Sequence, residues 1–492
     1  MSEVAKSDAR EVRPFLVGSE WREGSGRTFE SICPIDGSVA GVIAEAGADD
    51  VDAAVTCARA ALENPKWSEL RAHQRARLLY RMSELIERDA ERLAQLQTRD
   101  NGKTIAESRM QAMGAVEAFR YYAAVCEVAE SELMSPRGNY LSFSTYEPVG
   151  VVAAITPWNF PAAMMTRKLG PAMAAGCTSI VKPASATPLT AAMMLRAIED
   201  AGAPPGVVNL VTSRSAGMVA ETIFGDRRVR KISFTGSTEV GKDLIRASAD
   251  QVKRLSLELG GHAPYLIFDD ADLEEAADGL IASKFRNAGQ TCVCANRVYV
   301  QKGIYKEFVD LLAQKVAKMV VGPGDRPGVT VGPLIDSRGV DKADEHVQDA
   351  IARGARLVTG GGRLTDGEFA RGSFYAPTVL DGVTPEMLIS YEETFGPVAG
   401  ITQFAGEEEA LRLANDSVYG LCAYFHTRDY ARLLRVAEKL DYGIVGANTG
   451  IISAASAPFG GVKESGYGRE GGSVGIDEYL DTKYVLVAGV GI

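Results

Sequence analysis

Residues 149–260 alternate between apolar runs and helical segments, and this alternation constrains the fold more than any other feature of the sequence. The run VGVVAAITP is apolar throughout, as expected of a strand that is buried on both faces. Helical patterns then separate four further strand-like runs: CTSIVKP, VVNLVT, VRKISF and KRLSLELG. This order predicts a parallel, doubly wound sheet, and such sheets bind nucleotides at the carboxyl ends of their strands.

A second α/β region is predicted after residue 261, because runs such as APYLIFDD and ANRVYVQ again alternate with helical patterns at 303–320 and 407–415. Residues 51–130 read as amphipathic helices, one of which ends near Asn101 and Gly102. A strand is predicted at 139–147. The C-terminal run EYLDTKYVLVAGV also alternates and needs a partner strand. With 492 residues, the chain is expected to form two or three domains.

Composition excludes several classes of protein. Lys and Arg number 53 against 64 Asp and Glu, and the net charge of −11 argues against nucleic-acid binding. The first residues, MSEVAKSDAREVRP, are polar, so no secretory signal is expected. The sequence contains no run of eighteen apolar residues, so no membrane-spanning helix is expected. Seven scattered cysteines do not suggest a disulfide framework, so we expect a reducing, cytoplasmic setting.

The stretch FTGSTEVGKD, 234–243, fits the G-x-x-x-x-G-K opening of a phosphate-binding loop. Asp243 stands where such a loop needs the Ser or Thr that binds Mg²⁺, which argues against a nucleotide triphosphatase. A Gly-Ser turn between a strand and a helix still exposes N–H groups that can bind phosphate. An ordinary βα turn is the other interpretation.

Three residues are candidates for chemistry. Cys292, in NAGQTCVCANR, is a candidate nucleophile, although most cysteines are buried and inert. Cys292 and Cys294 could supply only two metal ligands, and the four histidines of the chain are scattered, so no metal site is predicted. Glu258, in LELGG, follows an apolar strand, where burial would raise its pKa towards that of a general base. Asn159, in TPWNFP, is a candidate oxyanion donor. A surface carboxylate and an Asn turn are the respective alternatives.

Together and in order, TPWNFP, IVKPAS, FTGSTEVG, LELGG, GQTCVC, EETFGP and APFGG resemble the aldehyde dehydrogenase superfamily over essentially the full length. The resemblance implies a Rossmann-type cofactor domain (1–129 and 149–260), an α/β catalytic domain (261–460) and a small β oligomerisation element (130–148 and 461–492). It also implies NADP or NAD as cofactor, a small-molecule aldehyde as substrate, and a homodimer or homotetramer.

The resemblance implies that Cys292 attacks the aldehyde, that the Asn159 amide holds the oxyanion, and that Glu258 activates water to hydrolyse the thioester. It places Glu393 and Phe395 at the nicotinamide riboside. The full set of cofactor contacts that it implies is Thr156, Pro157, Trp158, Lys182, Ser185, Phe234, Gly236, Ser237, Leu259, Glu393 and Phe395.

Ser185 bears on cofactor choice. NAD-preferring relatives often carry Glu three residues after the lysine that matches Lys182, and a carboxylate would repel a 2′-phosphate. Serine there favours NADP.

The chain is most similar to succinate-semialdehyde dehydrogenases, which implies that Arg167, Arg286 and Ser453 hold the substrate carboxylate. Structural ion pairs are the alternative for the two arginines, and glutarate semialdehyde or an aliphatic or aromatic aldehyde remains open as substrate. Cys294 matches a cysteine that forms a reversible disulfide with the nucleophile in some relatives; a packed neighbour is the other interpretation. A non-catalytic relative and a CoA-acylating enzyme are the rival functions.

Overall fold

A computed structural model describes residues 11–128, 131–134 and 139–489. Parts of the predicted N-terminal segment and of the predicted oligomerisation element, at residues 1–10, 129–130, 135–138 and 490–492, lie outside the described residues. In the described part of the chain, no helix has both the length and the apolarity that a membrane crossing requires.

The helices share a mostly amphipathic pattern and connect strands of two large sheets. In chain order they are α1 (Ala48–Glu63), α2 (Pro65–Ser68), α3 (Ala72–Arg88), α4 (Ala90–Asn101), α5 (Ile105–Val128), α6 (Pro161–Ala175), α7 (Leu189–Asp200), α8 (Ala216–Gly225), α9 (Thr238–Ser248), α10 (Leu273–Lys284), α11 (Tyr305–Val316), α12 (Ser337–Ala352), α13 (Leu388–Tyr391), α14 (Glu407–Asn415) and α15 (Tyr430–Lys439).

The strands are short, and most of them belong to the two large sheets. They are β1 (Val12–Arg13), β2 (Phe15–Val17), β3 (Glu20–Arg22), β4 (Thr28–Ile32), β5 (Val39–Ala44), β6 (Tyr140–Pro148), β7 (Val151–Ile155), β8 (Thr178–Lys182), β9 (Val208–Leu210), β10 (Val229–Thr235), β11 (Arg254–Glu258), β12 (Ala263–Ile267), β13 (Ala295–Gln301), β14 (Arg356–Thr359), β15 (Arg363–Leu364), β16 (Phe374–Tyr375), β17 (Thr378–Asp381), β18 (Val398–Phe404), β19 (Tyr419–Gly420), β20 (Cys422–His426), β21 (Ile444–Ala447), β22 (Val462–Lys463), β23 (Gly466–Tyr467) and β24 (Leu480–Ala488).

The first large sheet has the strand order β23-β11-β10-β7-β8-β9-β2-β3. The five central strands are parallel, which confirms the predicted doubly wound sheet. One apolar layer packs α3, α5, α6 and α7 on one face, and a second packs α1, α8 and α9 on the other. The sheet is therefore covered on both sides, as the apolar strands require.

The strand order reverses between β7 and β10. From β7 the chain moves outward through β8 to β9, and α8 then carries it back to β10 on the other side of β7. A crevice opens outside the carboxyl ends of strands at such a reversal, and ligands of doubly wound sheets bind there. The turns that follow β7 and β10 begin the motifs TPWNFP and GSTEVG, so the fold brings these two motifs together.

The second large sheet has the order β14-β17-β18-β13-β12-β20-β21, and all but its edge strand β14 are parallel. Helices α10 and α11 pack on one face, and α14 and α15 pack on the other. Outside both sheets, β24 pairs antiparallel with β6 along its whole length. The two short strands that come before β24 in the chain are not part of this ribbon. β23 pairs with β11 in the first large sheet, and β22 pairs with β19.

Two differences from the sequence reasoning concern the N-terminal third. The helical pattern at 75–104 breaks at Asp89 into α3 and α4, and α4 ends at Gly102 in a left-handed conformation with φ of 89°. Residues 12–44 form five short strands, for which the sequence pattern made no prediction. Two of these strands, β2 and β3, extend the first sheet.

Candidate active site

Two cavities meet at Cys292, which lines both of them and is half-buried. The first, about 450 Å³, lies at the carboxyl ends of β7, β10 and β11. The second, about 610 Å³, lies between α5, α6 and the segment 451–459. A nucleophile at their junction can react with a molecule that enters from one side while another molecule is held on the other.

The loop that carries Cys292 has an unusual backbone. Asn287, Ala288 and Gly289 follow one another in the left-handed region, with φ of 51°, 54° and 77°. Only Gly adopts this region without cost, and a Cβ at Gly289 would overlap the carbonyl oxygen of Gly396. The strained turn therefore presses the cysteine loop against the EETFGP segment.

A glycine also explains how LELGG reaches the cysteine. A Cβ at Gly261 would overlap the carbonyl oxygen of Cys292, so the first sheet ends directly against the cysteine loop. The pKa of the Cys292 thiol is raised to about 12, chiefly by burial and secondarily by the carboxylates of Glu258 and Glu393, while Arg167 and Arg286 oppose the rise. The thiol is thus protonated at neutral pH and must lose a proton before it can attack.

Glu258 ends β11 and is only 3% exposed, so the alternative of a surface carboxylate is wrong. Burial, and secondarily the charge of Glu470, raise its pKa well above the usual range of a carboxyl. Its Oε2 has no hydrogen-bond partner in the described part of the chain. A raised pKa and an unused oxygen are the properties of a carboxylate that takes up a proton.

Sequence reasoning missed two residues behind Glu258. Lys168, on α6, forms a fully buried ion pair with Glu470 and also donates to Thr235 Oγ1 at 2.8 Å and to Ser233 Oγ at 3.2 Å. The signal was present, because a lysine in the mostly apolar helix PAAMMTRKLGPAMAA needs a partner if it is buried. Glu470 lies about 300 residues away in sequence, so the partner itself was not visible.

Asn159 is 5% exposed, which is inconsistent with an ordinary surface turn. Its side-chain Nδ2 donates to Gln290 O at 3.1 Å, within the cysteine loop. Its backbone oxygen accepts from Lys103 Nζ at 2.5 Å and from Asn287 Nδ2 at 3.3 Å. The amide is therefore fixed beside Cys292, in the wall of the first cavity.

Most of the cofactor contacts that the resemblance implied line the first cavity. Phe395 has a left-handed φ of 52°, and its ring meets Trp158 edge-on with 5.5 Å between centroids. Burial raises the pKa of Glu393 to about 7, and its Oε1 accepts from Gly261 N at 3.4 Å. The implied residues in this lining are Pro157, Trp158, Lys182, Phe234, Gly236, Ser237, Leu259, Glu393 and Phe395.

Two groups suited to phosphate and ribose, Ser237 and Lys182, line the same cavity. Ser237 caps α9, and its Oγ accepts from Val240 N at 3.4 Å. Lys182 is buried, which lowers its pKa, and its Nζ donates to Pro183 O at 3.3 Å. Thr156 is buried behind the cavity and donates its N–H to Lys182 O, while Ser185 is half-buried in the turn before α7.

Arg167, Arg286 and Ser453 all line the second cavity together with Cys292. Arg167 stacks on Phe459, with 4.3 Å from the guanidinium carbon to the ring centroid, and Arg286 lies 5.6 Å from the ring centroid of Phe160. Within the described residues neither arginine forms an ion pair, and Arg286 Nε has no hydrogen-bond partner. The alternative that both make structural ion pairs therefore finds no support.

Cys294 is buried behind Cys292. Its thiol donates to Lys284 O at 3.6 Å, and burial raises its pKa. Both cysteines are free thiols in this structure. A bridge between them stays a prediction.

The comparisons with known proteins agree on one family. The model described as "Aldehyde dehydrogenase family" matches residues 21–485. The chain is 46% identical over 474 residues (96% of the chain, 97% of the relative) to the succinate-semialdehyde dehydrogenase GabD of Escherichia coli (strain K12), whose name specifies NADP(+). It is 45% identical over 491 residues, all of both chains, to a 3-sulfolactaldehyde dehydrogenase of Pseudomonas putida.

A solved structure gives the same result for the fold. The crystal structure of succinate-semialdehyde dehydrogenase from Burkholderia pseudomallei superposes with a TM-score of 0.94, at 46% identity, and covers 97% of this chain and 98% of that one.

Proposed function

The chain belongs to the aldehyde dehydrogenase family, and from this premise we propose that it oxidises succinate semialdehyde to succinate with NADP. It is an NAD(P)-dependent aldehyde dehydrogenase; the choice of aldehyde, the preference between coenzymes and the role of each residue are the proposal. The observation that carries it is the second cavity, in which two arginines that form no ion pair with any described residue flank Cys292.

The donors along the first cavity suit a dinucleotide. The N-terminus of α9, capped by Ser237, presents backbone N–H groups that suit a pyrophosphate, and the buried Lys182 would gain a second acceptor from a ribose or its 2′-phosphate. Glu393, Trp158 and Phe395 would hold the end nearest Cys292. A nicotinamide held there would supply the hydride acceptor for the substrate carbon.

Cys292 supplies what an aldehyde lacks. Because Cys292 is only half-buried, its thiol can give its proton to solvent. The thiolate then adds to the carbonyl carbon and gives the oxyanion of a tetrahedral thiohemiacetal, whose oxygen accepts from the Asn159 amide and from the backbone N–H of Cys292. After oxidation the carbon is a thioester of Cys292. Glu258 takes a proton from water, the water oxygen attacks the thioester, and Cys292 leaves as thiolate while the acid is released.

The substrate carboxylate is the feature that we assign to Arg167, Arg286 and Ser453. An arginine fork accommodates both carboxylate oxygens, and a half-buried guanidinium without a partner gains most from one. Glutarate semialdehyde, one methylene longer, is the alternative. A sulfonate carries the same kind of charge, so a sulfoaldehyde also belongs in the test.

The test is a comparison of initial rates of NADPH and NADH formation with succinate semialdehyde, glutarate semialdehyde, 3-sulfolactaldehyde and butanal. We expect the highest kcat/KM with succinate semialdehyde and NADP, and a kcat/KM for butanal lower by about 10² or more, because a charge-assisted hydrogen bond contributes about 1.5–3 kcal/mol. Preference for another anionic aldehyde would overturn the substrate. Preference for butanal would overturn the carboxylate clamp and leave the family and the chemistry unchanged.

We also propose a homo-oligomer, either a dimer or a tetramer, in the cytoplasm, and the three-part division into cofactor domain, catalytic domain and bridging element. The ribbon of β6 and β24 lies outside both large sheets and carries exposed apolar side chains, including Tyr484 and Leu486, so a neighbouring subunit could cover it. The cysteines of the described residues are free thiols, which suits a reducing compartment.

The disulfide between Cys292 and Cys294 is a further part of the proposal. A C-x-C bridge would be strained and easily reduced, as a reversible switch requires. Iodoacetamide mapping before and after mild peroxide tests it. An inactivated sample without a 292–294 bridge would exclude the switch.

A further inference from the structure

A buried lysine lies directly beneath the proposed oxyanion donor. Lys103 is 1% exposed, and its Nζ donates to the backbone oxygen of Asn159 at 2.5 Å. The same ammonium group lies 4.6 Å from the ring centroid of Phe160, the next residue along the turn. A fully buried lysine is costly, and burial lowers the pKa of this one to about 7. No step of the reaction above uses it.

The segment that carries Lys103 holds two successive carbonyl groups of the TPWNFP turn. Asn101 Nδ2 donates to Trp158 O at 3.0 Å, one residue before the carbonyl that Lys103 holds. Both side chains are buried: Asn101 is the last residue of α4, and Lys103 lies in the short connection from α4 to α5. The turn that presents the amide is thus fixed from one side by a single loop.

That loop is itself fixed. Gly102 has a φ of 89°, and a Cβ there would lie 2.7 Å from Pro333 Cγ. A Cβ at Gly324 would overlap the carbonyl oxygen of Lys103, and Ile105 donates its N–H to Gly324 O at 2.7 Å. The connection is therefore clamped against the segment 324–333 and has little freedom to move, so it is a rigid support for whatever it contacts.

The carbonyl oxygen of Asn159 that accepts from Lys103 also accepts from a second side chain, that of Asn287. Asn159 O accepts from Asn287 Nδ2 at 3.3 Å, and Asn287 N in turn donates to Glu107 Oε1 at 2.6 Å. Glu107 and Arg286 are the charged groups that act on Lys103. One carbonyl therefore ties the loop of Lys103 to the loop of Cys292, and displacement of either would move the amide relative to the sulfur.

We propose that Lys103 is a positioning residue of the oxyanion site: its ammonium group fixes the backbone of Asn159 and so aims the Asn159 amide at the carbonyl oxygen of a substrate bound to Cys292. The inference rests on the proposed function, because it assigns a purpose to Lys103 only if Asn159 stabilises the oxyanion. A misplacement of about 1 Å at a reacting group can lower the rate by about 10²-fold.

The experiment is a double-mutant cycle with Lys103→Met and Asn159→Ala. We expect Lys103→Met to lower kcat by about 10- to 100-fold with a smaller change in KM, and to have no further effect when Asn159 is already Ala, since no amide remains to be positioned. Lys103→Arg, which keeps a cationic donor, should recover part of kcat. The matched control is Lys253→Met, which removes a buried lysine that also donates to backbone carbonyls, those of Asp226 and Val229, at the far end of β11.

The outcomes separate the two proposals. Equal losses from Lys103→Met in the wild-type and Asn159→Ala backgrounds would mean that the lysine acts only on general stability, and would overturn the inference. A loss with Lys253→Met as large as that with Lys103→Met would overturn it as well. If Asn159→Ala itself leaves kcat unchanged, the oxyanion role fails, and with it the proposed mechanism rather than the placement of Lys103 alone.

Discussion

The two cavities that meet at Cys292 are built in different ways. The first lies where parallel strands end. Its lining comes from the turns after β7 and β10 and the end of β11, and α8, α9 and the EETFGP segment complete it. The second is walled by α5 and α6 and by the distant segment 451–459, none of which shares a sheet edge. The first cavity therefore follows from topology, and the second from how separate helices happen to pack. A substitution in the helical wall of the second cavity can therefore change substrate specificity without altering the sheet edge that forms the first.

The residue common to both cavities should give the largest effect. We expect Cys292→Ala to lower turnover by at least about 10⁴-fold, because removal of a catalytic nucleophile leaves only binding and electrostatic contributions. Binding of NADP, measured by fluorescence titration, should persist, since the wall of the first cavity is otherwise intact. Cys294→Ala is the control and should retain turnover. Turnover of Cys292→Ala near the wild-type level would show that Cys292 is not the nucleophile of the reaction.

Glu258 lies at the end of the first sheet, yet its proposed role is to activate the water that hydrolyses the thioester of a substrate held in the second cavity. Glu258→Gln should lower steady-state turnover by about 10²- to 10⁴-fold and leave a burst of one NADPH per site, because the thioester forms but water is not activated. Rapid-quench and stopped-flow absorbance measure both quantities. Wild-type deacylation should rise with pH as the carboxyl ionises above its usual range, and the variant should lose this dependence.

A different acceptor would give another result with Glu258. If the wild-type enzyme turned over only with CoA present, the thioester would be passed to a thiol rather than to water. The burst in Glu258→Gln would then disappear when CoA is added.

Arg286 tests the second cavity alone. Arg286→Ala should lower kcat/KM for succinate semialdehyde by about 10²-fold, as expected for the loss of a charge-assisted contact, while KM for NADP and the rate with butanal change little. Arg109→Ala is the matched control: Arg109 lines the same cavity but is exposed and paired with Glu91 at 2.8 Å. An equal loss with butanal would show that Arg286 supports the cysteine loop rather than the substrate carboxylate.

The same contrast explains what sequence could predict. The succession of β7 to β11 along the chain, and their parallel arrangement, follow from apolar runs that alternate with helical segments. The placement of Asn159 after β7 and of Glu258 at the end of β11 follows from that succession. The contact of Lys168 with Glu470 could not be predicted, because it joins α6 to a C-terminal loop. The same holds for Lys103 under Asn159: its sequence context, DNGKT, reads only as a helix end, and its contact is made across a long separation.

Ser185, which the cofactor proposal places near the ribose end of the coenzyme, should show the smallest effect. Ser185→Glu places a carboxylate beside the turn that follows Lys182, where it would repel a 2′-phosphate and accept from ribose hydroxyls. We expect KM for NADP to rise about 10-fold and KM for NAD to fall, with kcat for succinate semialdehyde nearly unchanged. Ser185→Gln, similar in size but neutral, should change the ratio of the two KM values much less. If Gln and Glu shift the ratio equally, size rather than charge decides the coenzyme. If the semialdehyde KM also changes, the two cavities are coupled across Cys292 and are not the independent sites that their separate construction suggests.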